Sequence, residues 1–320
     1  MEGGGREIEA RERVGDGKGK VNVRGDQEMK INFLPHAVAY LDILGFSKFI
    51  EEAEKSQNKL ESLEKLIYEV IPREISLEGK NSVFPKELGM RYLSCSDCIA
   101  VTAPVKEKAP YPSIVAVSIK AIQIAHSLLD MGFLTRGAIA VGNVHITDSN
   151  ILGILGTGFQ EAVNAEKKAG NPKIVLTESA EKTLKELIEK GYPSYAIYAK
   201  DELGQVILNT LHPEKSYLPD PKGEITEYFG KYREIILNNI SHDNREVKEK
   251  WRWLAMLYEA NVESFSDLRM KFPSLSIHDT LPVVTLNYLN PPEKDSGWVN
   301  DTKAPGFRCR LKVPERRNPD

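Results

Sequence analysis

His36-Ala-Val-Ala-Tyr40-Leu-Asp42-Ile-Leu-Gly45-Phe-Ser47 carries the most informative pattern for the architecture of this 320-residue chain. Its first nine residues are almost all apolar, which is the pattern of a strand covered on both faces. Gly45 interrupts the run, and the apolar residues after it recur at helical spacing. The stretch therefore predicts a buried strand that leads through a short turn into a helix.

Asp42 is an acidic side chain inside this apolar strand. A buried carboxylate loses its hydration, which is costly unless a cation or a hydrogen-bond donor compensates. Magnesium and manganese prefer hard oxygen ligands, and often take only one or two carboxylates together with substrate phosphates. Asp42 is therefore a candidate metal ligand. The alternative is that it pairs with a buried arginine of the protein.

A second acid, Asp97, lies in the polar stretch between two short predicted strands at 90–93 and 98–103. This pattern predicts a hairpin with Asp97 at its bend. If the first strand lies beside the hairpin, Asp42 and Asp97 face each other near the edge of the sheet and supply two metal ligands. The alternative is that Asp97 only shapes the turn.

Two further features are suited to anions. The turn at Gly45, Phe46 and Ser47 opens a helix, so its N–H groups and the helix dipole can hold a triphosphate. Many strand-to-helix turns contain Gly and Ser for geometric reasons alone, so this signal depends on the neighbouring acid. Arg136 stands in another apolar strand. A buried arginine needs an anion, either a protein carboxylate or a ligand phosphate.

Strands and helices alternate along the rest of the chain, which predicts an α/β or α+β sandwich. A turn at Gly142 and Asn143 is predicted to separate two strands. Thr177 is predicted to cap a helix. The remaining elements are predicted by periodicity: helices at 112–131 and 159–168, a strand at 173–176, a strand at 205–211, and helices at about 225–240 and 244–260.

Composition narrows the class of protein. The net charge of -3 gives no basic surplus for nucleic acid, and no apolar run approaches a membrane span. Three cysteines (Cys95, Cys98 and Cys309) cannot all pair among themselves, which fits a reducing compartment and a cytoplasmic location. One Cys-x-x-Cys pair alone does not make a structural zinc site.

Four regions are predicted. Residues 1–30 are glycine-rich and poor in large apolar residues, and form a disordered leader. Residues 31–212 form the main domain, which carries the candidate metal ligands, and residues 213–261 form a helical extension. Residues 262–320 are sparse in periodicity and rich in proline, and form an irregular tail.

Three motifs in this order resemble the class III nucleotidyl cyclases: Tyr40 to Ser47, Leu93 to Asp97, and Thr135 to Gly142. More narrowly, the chain resembles the bacterial pyrimidine cyclases of the Pycsar antiphage system. That resemblance rests on Arg136-Gly-Ala-Ile, Phe159-Gln-Glu-Ala, and the late helix that begins near Lys248. It spans roughly residues 36 to 260.

The resemblance implies a ferredoxin-like α+β sheet-and-helix sandwich with a C-terminal helical extension. It implies two Mg²⁺ or Mn²⁺ ions held by Asp42, Asp97 and the Ile43 carbonyl, and a triphosphate held by the turn from Gly45 to Ser47. The implied reaction turns UTP or CTP into cUMP or cCMP and pyrophosphate, with Arg136 as a catalytic residue. The implied enzyme is a homodimer with active sites at its interface, and a separate effector reads the product in antiviral defence.

Two departures keep alternatives open. Purine-specific relatives carry an Asn and an Arg four residues apart on the helix after the glycine-rich loop, where this chain has Gln160 and Asn164. Arg136 or a residue of the partner chain then replaces the missing arginine. The alternatives are a purine cyclase of the same fold and an inactive nucleotide-binding sensor.

Overall fold

The first strand, β1 (Leu34–Leu44), has its two faces packed in different cores of a computed structural model. Ala37 and Leu41 point into one core, and Val38 and Tyr40 pack in the other. Successive side chains of a strand point to opposite faces, so this alternation requires cover on both sides of the sheet. The predicted buried strand is confirmed.

The structure describes residues 31–75, 88–107, 109, 111–147, 153–192, 196–275, 285–286, 298–300 and 309–311. The predicted disordered leader, residues 1–30, lies outside this part, as does most of the tail after residue 275. The described residues from Asn32 onwards belong to one compact unit.

The strands that follow are β2 (Arg91–Cys95), β3 (Cys98–Pro104), β4 (Leu134–Ile146), β5 (Ile154–Leu155), β6 (Ile174–Leu176), β7 (Tyr198–Lys200), β8 (Val206–Leu208) and β9 (Thr285–Leu286). They form one sheet in the order β2-β3-β1-β4-β6-β8-β7-β9, with β5 paired to β4. All its pairings are antiparallel except that of β4 with β6. A separate pair, β10 (Trp298–Asn300) and β11 (Cys309–Leu311), is also antiparallel.

The helices are α1 (Phe46–Ala53), α2 (Gln57–Lys65), α3 (Ile71–Ile75), α4 (Ser113–Asp130), α5 (Thr157–Lys168), α6 (Glu178–Glu189), α7 (Ile225–Asn239), α8 (Arg245–Ser264) and α9 (Ser266–Lys271). A π-helical turn, Leu66–Val70, joins α2 to α3. Helices α4 and α6 pack on one face of β1 and β4, and α5 packs on the opposite face. The predicted cap is confirmed, since the Thr177 side chain accepts a hydrogen bond from the Ala180 N–H.

The expectation that no apolar run approaches a membrane span is wrong for α4, which is the one helix among the described residues that is long and apolar enough to cross a membrane. Its 18-residue window is 94% buried inside the protein. A core helix shows the same apolar composition, and the apolar side chains of α4 pack against β1 and β3.

The predicted turn at Gly142 and Asn143 is wrong. Both residues lie inside the continuous strand β4, where they pair with His36 and Pro35 of β1. Glycine is needed there for space and not for a left-handed backbone. A Cβ added at Gly142 would lie 2.8 Å from the Gly158 Cα of α5, which is closer than real Cβ contacts. The glycine lets α5 lie directly on the sheet.

The C-terminal part is more ordered than predicted. Helix α8 continues to Ser264 and α9 follows at once, so regular structure does not end at residue 261. Val262, Leu268 and Leu275 are buried in the same core as α7 and α8. The predicted strand at 205–211 is shorter, since β8 covers only Val206–Leu208. The predicted α+β class is confirmed, with helices on both faces of a mainly antiparallel sheet.

Candidate active site

The C-terminal end of β1 lies between the β2–β3 hairpin and β4. In the sheet register, Asp42 is opposite Cys98 of β3 on one side and opposite Arg136 of β4 on the other. The Ile43 N–H donates a 2.8 Å hydrogen bond to the Asp97 carbonyl oxygen. The structure therefore brings the two predicted acids and the predicted arginine to one end of the sheet.

Asp97 lies in the turn of the hairpin, directly after a residue with a strained backbone. Ser96 has a φ of 55°, a left-handed conformation that is uncommon outside glycine. Cys95 and Cys98 flank the turn as a directly opposed pair, and both thiols are free. The Cys98 thiol donates to the Cys95 carbonyl oxygen at 3.1 Å. These small side chains close the turn on which Asp97 stands.

Arg136 is held by two protein carboxylates. Its Nη2 lies 3.2 Å from Asp42 Oδ2, and its Nε lies 2.5 Å from Glu166 Oε1. The sequence left two kinds of anion open for Arg136, a protein carboxylate or a ligand phosphate. In the structure Arg136 is paired with protein carboxylates. The ion pair with Asp42 also matches the alternative given for that residue, namely that it pairs with an arginine of the protein, here a partly buried one.

Glu166 was not predicted as a site residue, although the sequence carries a signal for it. Gly158, Ala162 and Glu166 are spaced four residues apart and are the buried residues of α5. Glu166 is 4% exposed. An acid on the buried face of a helix needs a partner, by the same solvation argument that drew attention to Asp42.

Gly137 allows β4 to approach β1 beside these charges. A Cβ added at Gly137 would lie 2.6 Å from the Tyr40 carbonyl oxygen and 2.7 Å from Leu41 Cδ2. No side chain fits in that space without moving the strands apart. The Arg-Gly pair of the resemblance motif therefore combines a charge with the close strand contact that positions it.

Negative charge dominates the electrostatics of the site. Burial raises the pKa of Asp42 above its ordinary value, and the neighbouring carboxylates of Glu166 and Asp97 raise it further. Arg136 and Lys250 act in the opposite direction. Asp42 is thus affected by the charges of two other carboxylates and of one closely bound arginine, and this surplus of negative charge is a suitable environment for a cation.

The carboxylates of Asp42 and Asp97 suit a hard divalent ion whose remaining ligands are oxygens of water and phosphate. In the part of the chain that the structure describes, no three Asp, Glu, His or Cys side chains form a ready-made metal cluster. Mg²⁺ is usually bound by one or two carboxylates plus water and substrate phosphates, so Asp42 and Asp97 meet this requirement. Oxygen ligands of this kind do not suit zinc in a structural site.

The turn after β1 presents the N-terminus of α1 next to the acids. Gly45 adopts a φ of 81° at the N-cap, and no side chain caps the helix. Nothing lies within 4 Å of a Cβ added there, so the backbone angle alone requires glycine. Phe46 is buried and anchors the turn, whereas Ser47 is exposed. The first N–H groups of α1 are available to an anion.

A cleft of about 1110 Å³ lies between α5 and α6. Gln160 and Asn164 line it, together with Lys168. Asp42, Asp97 and Arg136 do not line this cleft. This cleft and the acidic cluster are thus different places, and the side chains of the acidic cluster are the ones suited to binding a cation.

No protein-family model and no curated protein matches the sequence. Solved structures do match in fold. The adenylyl cyclase CyaB from P. aeruginosa is similar at a TM-score of 0.41 and 14% identity, over 56% of this chain and 95% of that one. The guanylyl cyclase domain of the RhoGC fusion protein from Blastocladiella emersonii is similar at a TM-score of 0.36 and 14% identity, over 55% and 95%.

A class III adenylyl cyclase-like ATP-binding protein from Pseudomonas aeruginosa is similar at a TM-score of 0.33 and 12% identity, over 47% of this chain and 34% of that one. Similarity at this level concerns the fold. Substrate and activity have to be argued from the residues of this chain.

Proposed function

We propose that this chain is a nucleotide cyclase that converts UTP or CTP into its 3′,5′-cyclic monophosphate and pyrophosphate. One observation carries the proposal. Asp42, the hairpin turn with Asp97, and the uncapped start of α1 meet within a few residues at one end of the sheet. Carboxylates for cations beside N–H groups for phosphates form the arrangement that binds a metal–triphosphate complex.

Each group has a proposed role. Asp42, Asp97 and the Ile43 carbonyl would hold two Mg²⁺ or Mn²⁺ ions. When bound, such ions supply Lewis-acid stabilisation of the charge on the phosphate oxygens. The turn from Gly45 to Ser47 binds the triphosphate through its N–H groups. Arg136 stabilises negative charge that develops as the ribose 3′-oxygen attacks the α-phosphate and pyrophosphate leaves.

The pyrimidine preference rests on the residues of α5. Gln160 and Asn164 stand where the purine-directed Asn and Arg of the resembled family stand. Loss of that pair favours a pyrimidine substrate over the purine cyclase alternative. By the same family resemblance, the cyclase is a cytoplasmic homodimer with active sites at its interface, and its product activates a separate antiphage effector.

A second candidate is a nucleotide-binding sensor without turnover. The observation that favours it is the ion pair between Arg136 and Asp42, in which a cation of the protein contacts the main candidate metal ligand. In a sensor this pair persists when nucleotide binds. In a cyclase, Asp42 would bind a metal ion in place of Arg136.

One assay separates these candidates. The purified full-length chain is incubated with each of the four ribonucleoside triphosphates and Mn²⁺, and the products are identified by mass spectrometry. Cyclic UMP or cyclic CMP supports the proposal, and a cyclic purine nucleotide supports the alternative cyclase. Binding without any cyclic product supports the sensor.

Site variants link the product to the acidic cluster. Asp97→Ala is expected to lower turnover by at least about a hundredfold, because a metal ligand is lost while its backbone turn remains. Asp243→Ala, at an exposed acid between α7 and α8, serves as the control. Full activity of Asp97→Ala would show that the metal assignment is wrong.

A further inference from the structure

Arg136 is shared unequally between its two carboxylates. Glu166 Oε1 accepts a hydrogen bond from Nε of the guanidinium at 2.5 Å and also lies 2.5 Å from Nη2, whereas Asp42 Oδ2 accepts from Nη2 alone at 3.2 Å. The Glu166 side chain is 5% exposed and the Asp42 side chain 20% exposed. The closer and more deeply buried bonds are those to Glu166.

We propose that Glu166 is a positioning residue that holds Arg136 and so keeps the Asp42 carboxylate available for a divalent cation. This inference rests on the metal site of the proposed function and adds a residue to it. Glu166 itself contacts neither the cation nor the nucleotide. It acts through the guanidinium that lies between it and Asp42.

Competition for one guanidinium is the physical basis. Arginine offers its donors in a fixed planar fork, so bonds made to one carboxylate fix the orientation available to the other. A carboxylate in a charge-assisted pair with arginine is less available to a metal ion, since the cation must displace the pair. With Glu166 in place, the Arg136 bond to Asp42 is single and long, and therefore easily displaced.

The scaffold of Glu166 is rigid enough for this role. Glu166 lies on the same buried stripe of α5 as Gly158 and Ala162. A Cβ added at Gly158 would lie 3.0 Å from the Gly142 backbone, so α5 packs closely on β4, the strand that carries Arg136. Such close packing supports the carboxylate against the guanidinium, as a positioning residue requires.

When the charge of Glu166 is removed, Asp42 is the one of these two residues that still offers Arg136 a carboxylate. The guanidinium then turns towards Asp42 and competes with a metal ion for it. Removal of Arg136 eliminates the competitor, so the identity of residue 166 should then hardly matter. A purely structural role for Glu166 predicts the opposite, namely a loss of stability without this dependence on Arg136.

A double-mutant cycle with Mn²⁺ alone tests the inference. Calorimetric titration of the full-length protein gives the Kd for Mn²⁺ of wild type, Glu166→Gln, Arg136→Leu and the double variant. Glu166→Gln is expected to weaken Mn²⁺ binding about tenfold in wild type and less than about threefold beside Arg136→Leu. Glu249→Gln, at an exposed pair with Arg245, is the matched control and should bind Mn²⁺ as wild type does.

Circular dichroism verifies the fold of each variant, and Arg136→Gln replaces Arg136→Leu if the latter does not fold. The inference is overturned if wild type binds no Mn²⁺, if Glu166→Gln binds as wild type, or if the loss is equal in both backgrounds. The cyclase proposal fails separately. If Mn²⁺ binding shows this coupling but no cyclic product forms, the role of Glu166 is supported and the cyclase proposal is rejected. If cyclic product forms but the coupling is absent, the cyclase proposal is supported and the role of Glu166 is rejected.

Discussion

At the scale of single residues, Asp42 shows what solvation arguments can predict. Its apolar strand required a compensating partner, and the hairpin supplied a second acid at the predicted place. The choice of Arg136 as the direct partner depends on a contact across 94 residues of sequence, which no local pattern records. Glu166 lay within reach of the same reasoning, because it occupies a stripe of otherwise small buried residues.

Asp42→Asn is predicted to raise thermal stability at neutral pH. A carboxyl group whose pKa is raised on folding favours its protonated form, so its ionised form destabilises the folded protein above the ordinary pKa of aspartate. Asparagine removes that charge and leaves Arg136 paired with Glu166. The measurement is the midpoint of thermal unfolding at pH 7 without metal.

The same variant is expected to lose Mn²⁺ binding, because a neutral amide is a poor ligand for a hard cation. Higher stability together with lost binding is the pattern of a residue kept for function at some cost to the fold. A clear fall in the unfolding midpoint of Asp42→Asn would show instead that Asp42 serves mainly as a structural partner of Arg136.

At the level of secondary structure, β4 shows why the turn predicted at Gly142 and Asn143 was wrong. Glycine serves either a left-handed backbone or a close approach between elements, and a sequence pattern does not distinguish the two. The pair Gly142-Asn143 has the composition of a hairpin turn. The deciding fact is the position of Gly158, a residue of another element, which lies against Gly142. Strand β1, predicted from its apolar run, and helix α4, predicted from its helical periodicity, were predicted correctly.

Gly142→Ala is predicted to destabilise the protein by about 1–3 kcal/mol, because its Cβ forces α5 away from β4. Gly230→Ala is the contrasting control. Gly230 lies inside α7, and its added Cβ would meet Phe272 at an ordinary 3.7 Å. Alanine there should stabilise the helix by about 1 kcal/mol. Urea unfolding of both variants measures the difference, and equal effects would contradict the packing explanation.

At the scale of the whole molecule, the helical extension shares a core with the sheet. Leu129 of α4, Val175 of β6 and Ile207 of β8 are buried in one cluster with residues of α7 and α8. The sequence predicted α7 and α8 but not the elements they pack against, because an amphipathic pattern shows which face of a helix is buried and not which surface covers it. Two histidines lie in this region, the fully buried His126 on α4 and the largely enclosed His212 in the segment after β8.

These histidines make stability depend on acid. Burial lowers the pKa of His126 to about 3 and that of His212 to about 4, from an ordinary value of 6.5. A histidine whose pKa is lowered on folding binds its proton more tightly in the unfolded chain. Its contribution is therefore complete above about pH 6.5 and is lost as the pH falls towards the folded value.

His126→Gln is predicted to flatten the pH dependence of unfolding between pH 6 and pH 4.5. Each histidine contributes a slope of up to about 1.4 kcal/mol per pH unit in that window, so each single variant removes one such increment. Glutamine keeps a polar atom near the Tyr232 hydroxyl, which contacts His126 Nδ1 at 3.0 Å, but carries no proton to titrate. The measurement is the free energy of urea unfolding across the pH series for wild type, His126→Gln, His212→Gln and the double variant. Because carboxylates also titrate in this range, only the difference in slope between variants counts, and parallel curves would mean that the extension does not bury these imidazoles in solution.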